Sequence, residues 1–359
     1  MSFKDEIIAK RRKYTKTIES DDSDVSESSS GSSAEDSEDE VRNYKKGGYC
    51  RVENGMILFD EYKVKQKLGR GHFATVWACE RNGETFAVKI QKARKTYRIA
   101  AMEEIEIHKM LSEREGENKK FINLMVTNRT YEGEFGKHEC MFFPKMDCDL
   151  ITLQEEEENE VFKFAKTSKL AKQILQGLEF LHSCDIIHTD LKPDNILVKR
   201  ENLHCQIADL GTSVSVGDRV NDYIQTSHYR SPEIILGYKY WDTKIDIWSA
   251  ACLFFEMLTA DYLFDGENET DLMLSFIETL GMPQKEFLAN CKAKDTYFNR
   301  EGKLKVRDEL NPLPLDRILI EEYNFSMEDS FAICKLLKPM LAFHPEKRFT
   351  ATEILNLYP

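Results

Sequence analysis

The stretch His188-Thr189-Asp190-Leu191-Lys192-Pro193-Asp194-Asn195 decides how the rest of the chain is read. It sets a carboxylate, an ammonium and an amide into one short loop after a helical run. Such an acid can accept the proton of a hydroxyl, the lysine can face a phosphate, and the amide oxygen can ligate a metal. Phosphoryl transfer asks for these parts, because it depends on positioning and charge neutralisation more than on covalent chemistry by the protein. A second acid, Asp209, stands before Leu210-Gly211, where a second metal ligand is needed. Asp190 is therefore the candidate base, Lys192 the candidate phosphate contact, and Asn195 and Asp209 the candidate metal ligands.

The flanking chain carries matching signals. Tyr62 to Leu68 alternates apolar and polar, as a half-buried strand does. Gly69-Arg70-Gly71-His72-Phe73-Ala74-Thr75-Val76 follows, and a second strand runs on to Cys79. Glycines let backbone approach phosphates, and a strand on each side makes a hairpin flap rather than the strand-to-helix turn of a dinucleotide fingerprint. In Phe86-Ala87-Val88-Lys89-Ile90 a lysine sits on an apolar strand, where it needs a partner. The helix expected around 100 to 112 offers Glu103, Glu104 and Glu106. Cys140 to Phe143 reads as a strand stopped by Pro144, which keeps a carbonyl but has no N–H. Leu170, Ile174, Leu175, Leu178 and Leu181 have the spacing of a buried helix that delivers the chain to His188. Residues 196–198 and 205–208 read as two short strands that bring Asp209 back beside Asp190.

In this order and at this spacing, the motifs over about residues 62 to 358 resemble a eukaryotic-type protein kinase. The resemblance implies an α+β, two-lobed fold: a small β-rich lobe (62–143), a hinge (144–147) and a large, mostly helical lobe (148–359), with nucleotide between the lobes. It implies ATP and Mg2+ as cofactors. Leu68, Gly69, Arg70, Gly71, His72, Phe73, Ala74, Thr75 and Val76 would cover the nucleotide, with Ala74 in place of the usual third glycine. Lys89 would hold the α- and β-phosphates. Among the three competing glutamates, Glu104 best aligns with the family helix, with Ile105 and Leu111 on the core side. The Met146 N–H would serve the adenine. Asp190 would position and deprotonate the substrate hydroxyl, Lys192 would stabilise the transferred phosphoryl, and Asn195 and Asp209 would hold Mg2+. Arg230-Ser231-Pro232-Glu233 matches the end of the activation segment, with Arg348 as partner to Glu233. Asp246-Ile247-Trp248 resembles the helix start whose acid anchors the catalytic loop.

Departures narrow the resemblance. Thr189 stands where most kinases have Arg, and Leu210 where most have Phe. With A-D-L-G at 208–211 and Tyr297-Phe298-Asn299-Arg300-Glu301-Gly302, the chain is similar to the SR-protein kinases, which phosphorylate Ser in Arg-Ser-rich splicing factors. Lys199 to His204 leaves no room for that family's long spacer, and residues 261 to 324 resemble the extra large-lobe insert of its wider group. Asp261, Asp271 and Glu278 match its acidic docking groove, where Arg pairs bidentately with carboxylates better than Lys does. Asp271 and Glu278 are seven apart, on one helix face, while Glu322 falls where Lys is expected. Arg at the 189 position normally gathers a phosphorylated activation loop, so activity without that phosphorylation is expected. Two rivals stand beside this reading. Tyr223-Ile224-Gln225-Thr226 also resembles the dual-specificity tyrosine-regulated kinases, with LAMMER-type kinases in the same group. A non-catalytic scaffold for basic tails is the other.

The bulk composition fits an acidic intracellular protein. A net charge of -13 argues against general nucleic-acid binding and suits a basic partner or simple solubility. Nine cysteines without a CxxC pair suggest reduced thiols in the cytoplasm or nucleus. No apolar run is long enough for a membrane span, and a monomer is expected. Residues 1–48 read as a disordered tail: Lys10-Arg11-Arg12-Lys13 is either an import signal or a solvated cluster, and 21–40 are almost wholly Ser, Asp and Glu.

Overall fold

Strand signals crowd the first part of the sequence and helix signals the rest. The computed structural model, which describes residues 44–218, 224–305 and 310–358, divides in the same way. One unit holds the described residues up to Arg114 together with Asn123–Met146; the other holds Glu115–Ile122 and the chain from Asp147 onward. Tyr223 and residues 1–43 lie outside the described residues.

The first unit is a six-stranded antiparallel sheet. Its strands are β1 (Ile57–Leu58), β2 (Tyr62–Arg70), β3 (Ala74–Arg81), β4 (Glu84–Gln91), β5 (Thr127–Gly133) and β6 (Gly136–Pro144), with β6 lying between β4 and β5. The two-residue period of β4 sends Phe86, Val88 and Ile90 into a core with Tyr62, Val64, Trp77, Cys79 and Phe142. Ala87 and Lys89 consequently face the other way. Helix α1 (Lys95–Glu113) buries Ala101, Glu104, Ile105 and Leu111.

The ordered unit starts before Tyr62. Cys50, Val52 and Leu58 belong to the same core cluster. Residues 44–48, expected in the tail, are built in: the Gly47 N–H donates to Phe135 O, and the Ala93 and Arg94 N–H groups donate to Gly48 O and Gly47 O. The sheet edge needs those apolar side chains to close its core, which composition over a window ending at 48 did not register. Glu115–Ile122 likewise belongs with the second unit, where Ile122 bridges Ile207.

The second unit is mostly helical. It contains β7 (Cys148–Asp149), α2 (Leu150–Glu155), α3 (Phe164–Ser183), β8 (Ile186–Ile187), β9 (Ile196–Lys199), β10 (His204–Ile207) and β11 (Val214–Ser215). Helices α4 (Pro232–Ile235), α5 (Lys244–Thr259) and α6 (Glu269–Leu280) follow, with shorter helices as far as Leu355. The apolar stripe Leu170, Ile174, Leu178 and Leu181 of α3 is buried as its spacing requires. At Gly177 a Cβ would stand 2.9 Å from Ile207 Cδ1 and 3.1 Å from Phe121 O, so glycine lets α3 lie this close to β10. Helix α5 is buried on nearly every side and forms the centre of this unit.

Candidate active site

In the first unit, β3 pairs Val76 opposite Lys89, and β4 pairs Ala87 opposite Phe143. Directly opposed residues share a face, so Val76, Ala87, Lys89 and Phe143 line the side of the sheet away from its core. The Lys89 ammonium donates to both Glu104 oxygens, at 2.8 and 2.9 Å. Glu104 is only 2% exposed, and burying it without this cation would be costly. Of the three candidates Glu103, Glu104 and Glu106, Glu104 is thus the partner of Lys89. His108, one turn on and fully buried, accepts the Met125 N–H and packs edge-on against Phe143. The turn Gly71-His72-Phe73 joins β2 to β3, closed by Gly71 N–H to Ala74 O at 2.9 Å. Leu68 and Phe73 stay exposed, and Met146 is buried at the end of this unit.

In the second unit, the catalytic-loop backbone is held from below. Asp246, wholly buried on α5, accepts the His188 and Thr189 N–H groups at 2.8 and 3.0 Å and pairs with His182 Nε2. Thr189 has φ 70°, a strained conformation for a β-branched residue, which that anchor sustains. Its hydroxyl donates to Thr212 O, so the position that carries Arg in most kinases ends in an uncharged internal tie.

This backbone presents a cluster of side chains. Lys192 Nζ lies 3.2 Å from Asp190 Oδ2, and Thr226 Oγ1 donates to Asp190 Oδ1. Asn195 Nδ2 donates to Asp190 O at 2.7 Å. With the amide fixed that way round, Asn195 Oδ1 is the oxygen left for a metal. Ala208 N–H donates to Asn195 O, which brings the next residue, Asp209, alongside. A carboxylate and an amide oxygen fit Mg2+, which takes one or two protein oxygens and completes its shell with phosphate and water.

The segment after the described gap is knotted to α5. Gln225, buried with φ 67°, donates to Ile245 O and Ser249 Oγ and accepts from Ser231. Arg230 is 4% exposed and pairs with Glu269. Glu233 and Arg348, both wholly buried, form a two-pronged ion pair at 2.6 and 2.9 Å.

The docking acids are placed less suggestively. Asp261 accepts from Tyr323 OH, Asp271 from the Asn268 side chain that caps α6, and Glu278 from the Asn311 N–H. Each is tied into its own surroundings, and among the described residues no hydrogen bond joins the three. The acid that sequence reading missed is Glu256 on α5. Its carboxylate accepts from Tyr229 OH at 2.6 Å. Burial pushes its pKa up to about 7; the hydrogen bond from Tyr229 opposes that rise, and the Asp194 carboxylate adds to it. Thr226 was also missed as a site residue, since its partner is 36 positions away.

The protein kinase domain family matches residues 62–358. A serine/threonine-protein kinase SRPK of Physarum polycephalum is 34% identical over 382 residues, covering 88% of this chain and 89% of that protein. The mouse dual specificity tyrosine-phosphorylation-regulated kinase 3 is 34% identical over 259 residues, 71% of this chain and 43% of its own length. The human dual specificity tyrosine-phosphorylation-regulated kinase 4 is 29% identical over 314 residues, 84% and 58% respectively. The chain therefore spans about half the length of these two dual-specificity kinases and most of the SRPK.

Proposed function

The chain belongs to the protein kinase family and, within it, to the SR-protein kinases; from that premise we propose that it transfers the γ-phosphate of ATP, with Mg2+, to Ser residues flanked by Arg in Arg-Ser-rich proteins. Bound Mg2+ would neutralise phosphate charge between Asn195 and Asp209. Lys89, held by Glu104, orients the phosphates; Asp190 takes the hydroxyl proton; Lys192 faces the transferred group. Nine free thiols are in keeping with a cytoplasmic or nuclear setting for this activity.

Glu256 carries the Arg-directed reading. Among the described residues it pairs with no cation, although it is half-buried beside Tyr229 of the activation segment and feels Asp194 of the catalytic loop. Burying an acid this way is costly until a positive charge arrives. Tyr262 lies edge-on to Tyr229 and stacks on His228 at 3.8 Å, an aromatic wall on which a planar guanidinium can lie. Arg, with its flat fork of donors, suits this better than Lys.

The test is phosphate transfer from Mg-ATP to matched Arg-Ser, Lys-Ser and Ser-Pro peptides, with Lys89→Met as the inactive control. The expected result is strong preference for Arg-Ser, reduced in Glu256→Gln. Preference for Ser-Pro would overturn the substrate class. No transfer to any peptide with nucleotide still bound would favour the scaffold.

A further inference from the structure

We propose that Tyr49 is a positioning residue for nucleotide, acting from outside the matched kinase domain by aiming backbone N–H groups of the 71–73 turn. The Tyr49 hydroxyl donates to Gly71 O at 2.6 Å, with His72 O also within reach at 3.4 Å. In a planar trans peptide the carbonyl and the following N–H point opposite ways. Drawing these two carbonyls toward Tyr49 turns the His72 and Phe73 N–H groups to the other side. Among the described residues neither N–H has a protein acceptor. Two successive N–H groups facing one way form a concavity that binds anions, here the class of ligand being a nucleotide phosphate.

The residue is well supported for this work. Tyr49 is 4% exposed, and its ring lies under Lys92 Nζ at 4.3 Å and Arg70 Cζ at 4.9 Å. Those two cations hold the ring by cation–π attraction from either flank of the turn. Its own segment is pinned: Gly48 N–H donates to Lys45 O at 2.7 Å, and Gly47, at φ +80°, accepts from Arg94 N–H, the N-cap of α1. The strap thus ties the turn to the start of the helix that carries Glu104.

This inference rests on the reading of 68–76 as the nucleotide-covering turn, and the experiment separates the two. Mg-ATP affinity, KM for ATP, kcat and thermal midpoint would be measured for the unsubstituted protein, Tyr49→Phe and Val52→Ala. Tyr49→Phe keeps the ring and removes only the hydroxyl. We expect about five-fold weaker Mg-ATP binding and a matching rise in KM for ATP, the effect of one hydrogen bond worth about 1 kcal/mol. The kcat stays unchanged. Val52→Ala, a core change in the same strap, should lower the thermal midpoint and leave nucleotide affinity intact. Tyr49→Phe binding Mg-ATP as tightly as the unsubstituted protein overturns the inference, whatever happens to its midpoint. Failure of the unsubstituted protein to bind Mg-ATP sinks the nucleotide reading and the inference with it.

Discussion

Thr226 donates its hydroxyl to Asp190 Oδ1 at 2.6 Å, while Lys192 Nζ sits 3.2 Å from the other oxygen of the same carboxylate. The candidate base is therefore gripped from both sides, by the activation segment and by its own loop. Thr226→Val removes one grip without changing volume. We expect kcat to fall roughly 10- to 100-fold with KM for ATP unchanged, the scale of a misplaced catalytic group. Thr226→Ser should restore most of the loss. Steady-state kinetics on an Arg-Ser peptide would check it, and wild-type turnover in the valine variant would refute it.

Glu256 should make both stability and substrate use depend on pH. Its carboxyl titrates at about 7 in the fold against an ordinary 4.5. Between those values the folded state binds the proton more tightly than the unfolded chain. This group's contribution is therefore fully present below 4.5 and is lost as pH rises toward 7. An Arg-bearing peptide needs the charged form, so its kcat/KM should climb through the same upper range. Glu256→Gln should flatten both curves and lower kcat/KM for Arg-Ser by about 10-fold or more, as expected for losing a charge-assisted hydrogen bond. Unchanged pH profiles in the variant would exclude this role.

Phosphatase-treated protein should remain active. Thr189 is uncharged, and its hydroxyl is already committed to Thr212 O, so it offers a phosphate nothing to pair with. Comparing turnover before and after complete dephosphorylation, verified by mass spectrometry including Tyr223, tests this hypothesis. Near-zero activity after treatment would end it.

Arg348→Met should destabilise the protein severely. It would strand the Glu233 carboxylate in a site where both partners are wholly buried. Breaking such a pair from one side costs about 3–5 kcal/mol. Chemical denaturation would measure the change. A double variant, Glu233→Leu with Arg348→Met, should recover part of it.

Legibility followed sequence distance and periodicity. Lys89 could be read because a lysine interrupts an apolar strand, whereas Glu104 was singled out among three glutamates only by alignment with the family helix. Asp246 could be read from the apolar helix that it opens. Thr226 could not, since its bond to Asp190 spans a segment with no period. Glu256 did leave a trace: it is an acid inside Phe254-Phe255-Glu256-Met257, where a buried helix has no use for one. Tyr49 could not be read, since its role depends on a turn 22 residues later. The docking acids show the opposite balance. Their spacing was plain, yet the capping and loop contacts that occupy Asp261, Asp271 and Glu278 depend on partners no periodicity announces.

Glu233 and Arg348 are 115 residues apart. A ribosome adding about 5–20 residues per second exposes the acid roughly 6–23 seconds before its cation. During that interval the carboxylate has no cation to enter the interior with, although Gln225 can already bond to Ile245 and Ser249 of α5. A nascent chain therefore carries Glu233 unpaired until Arg348 has been made.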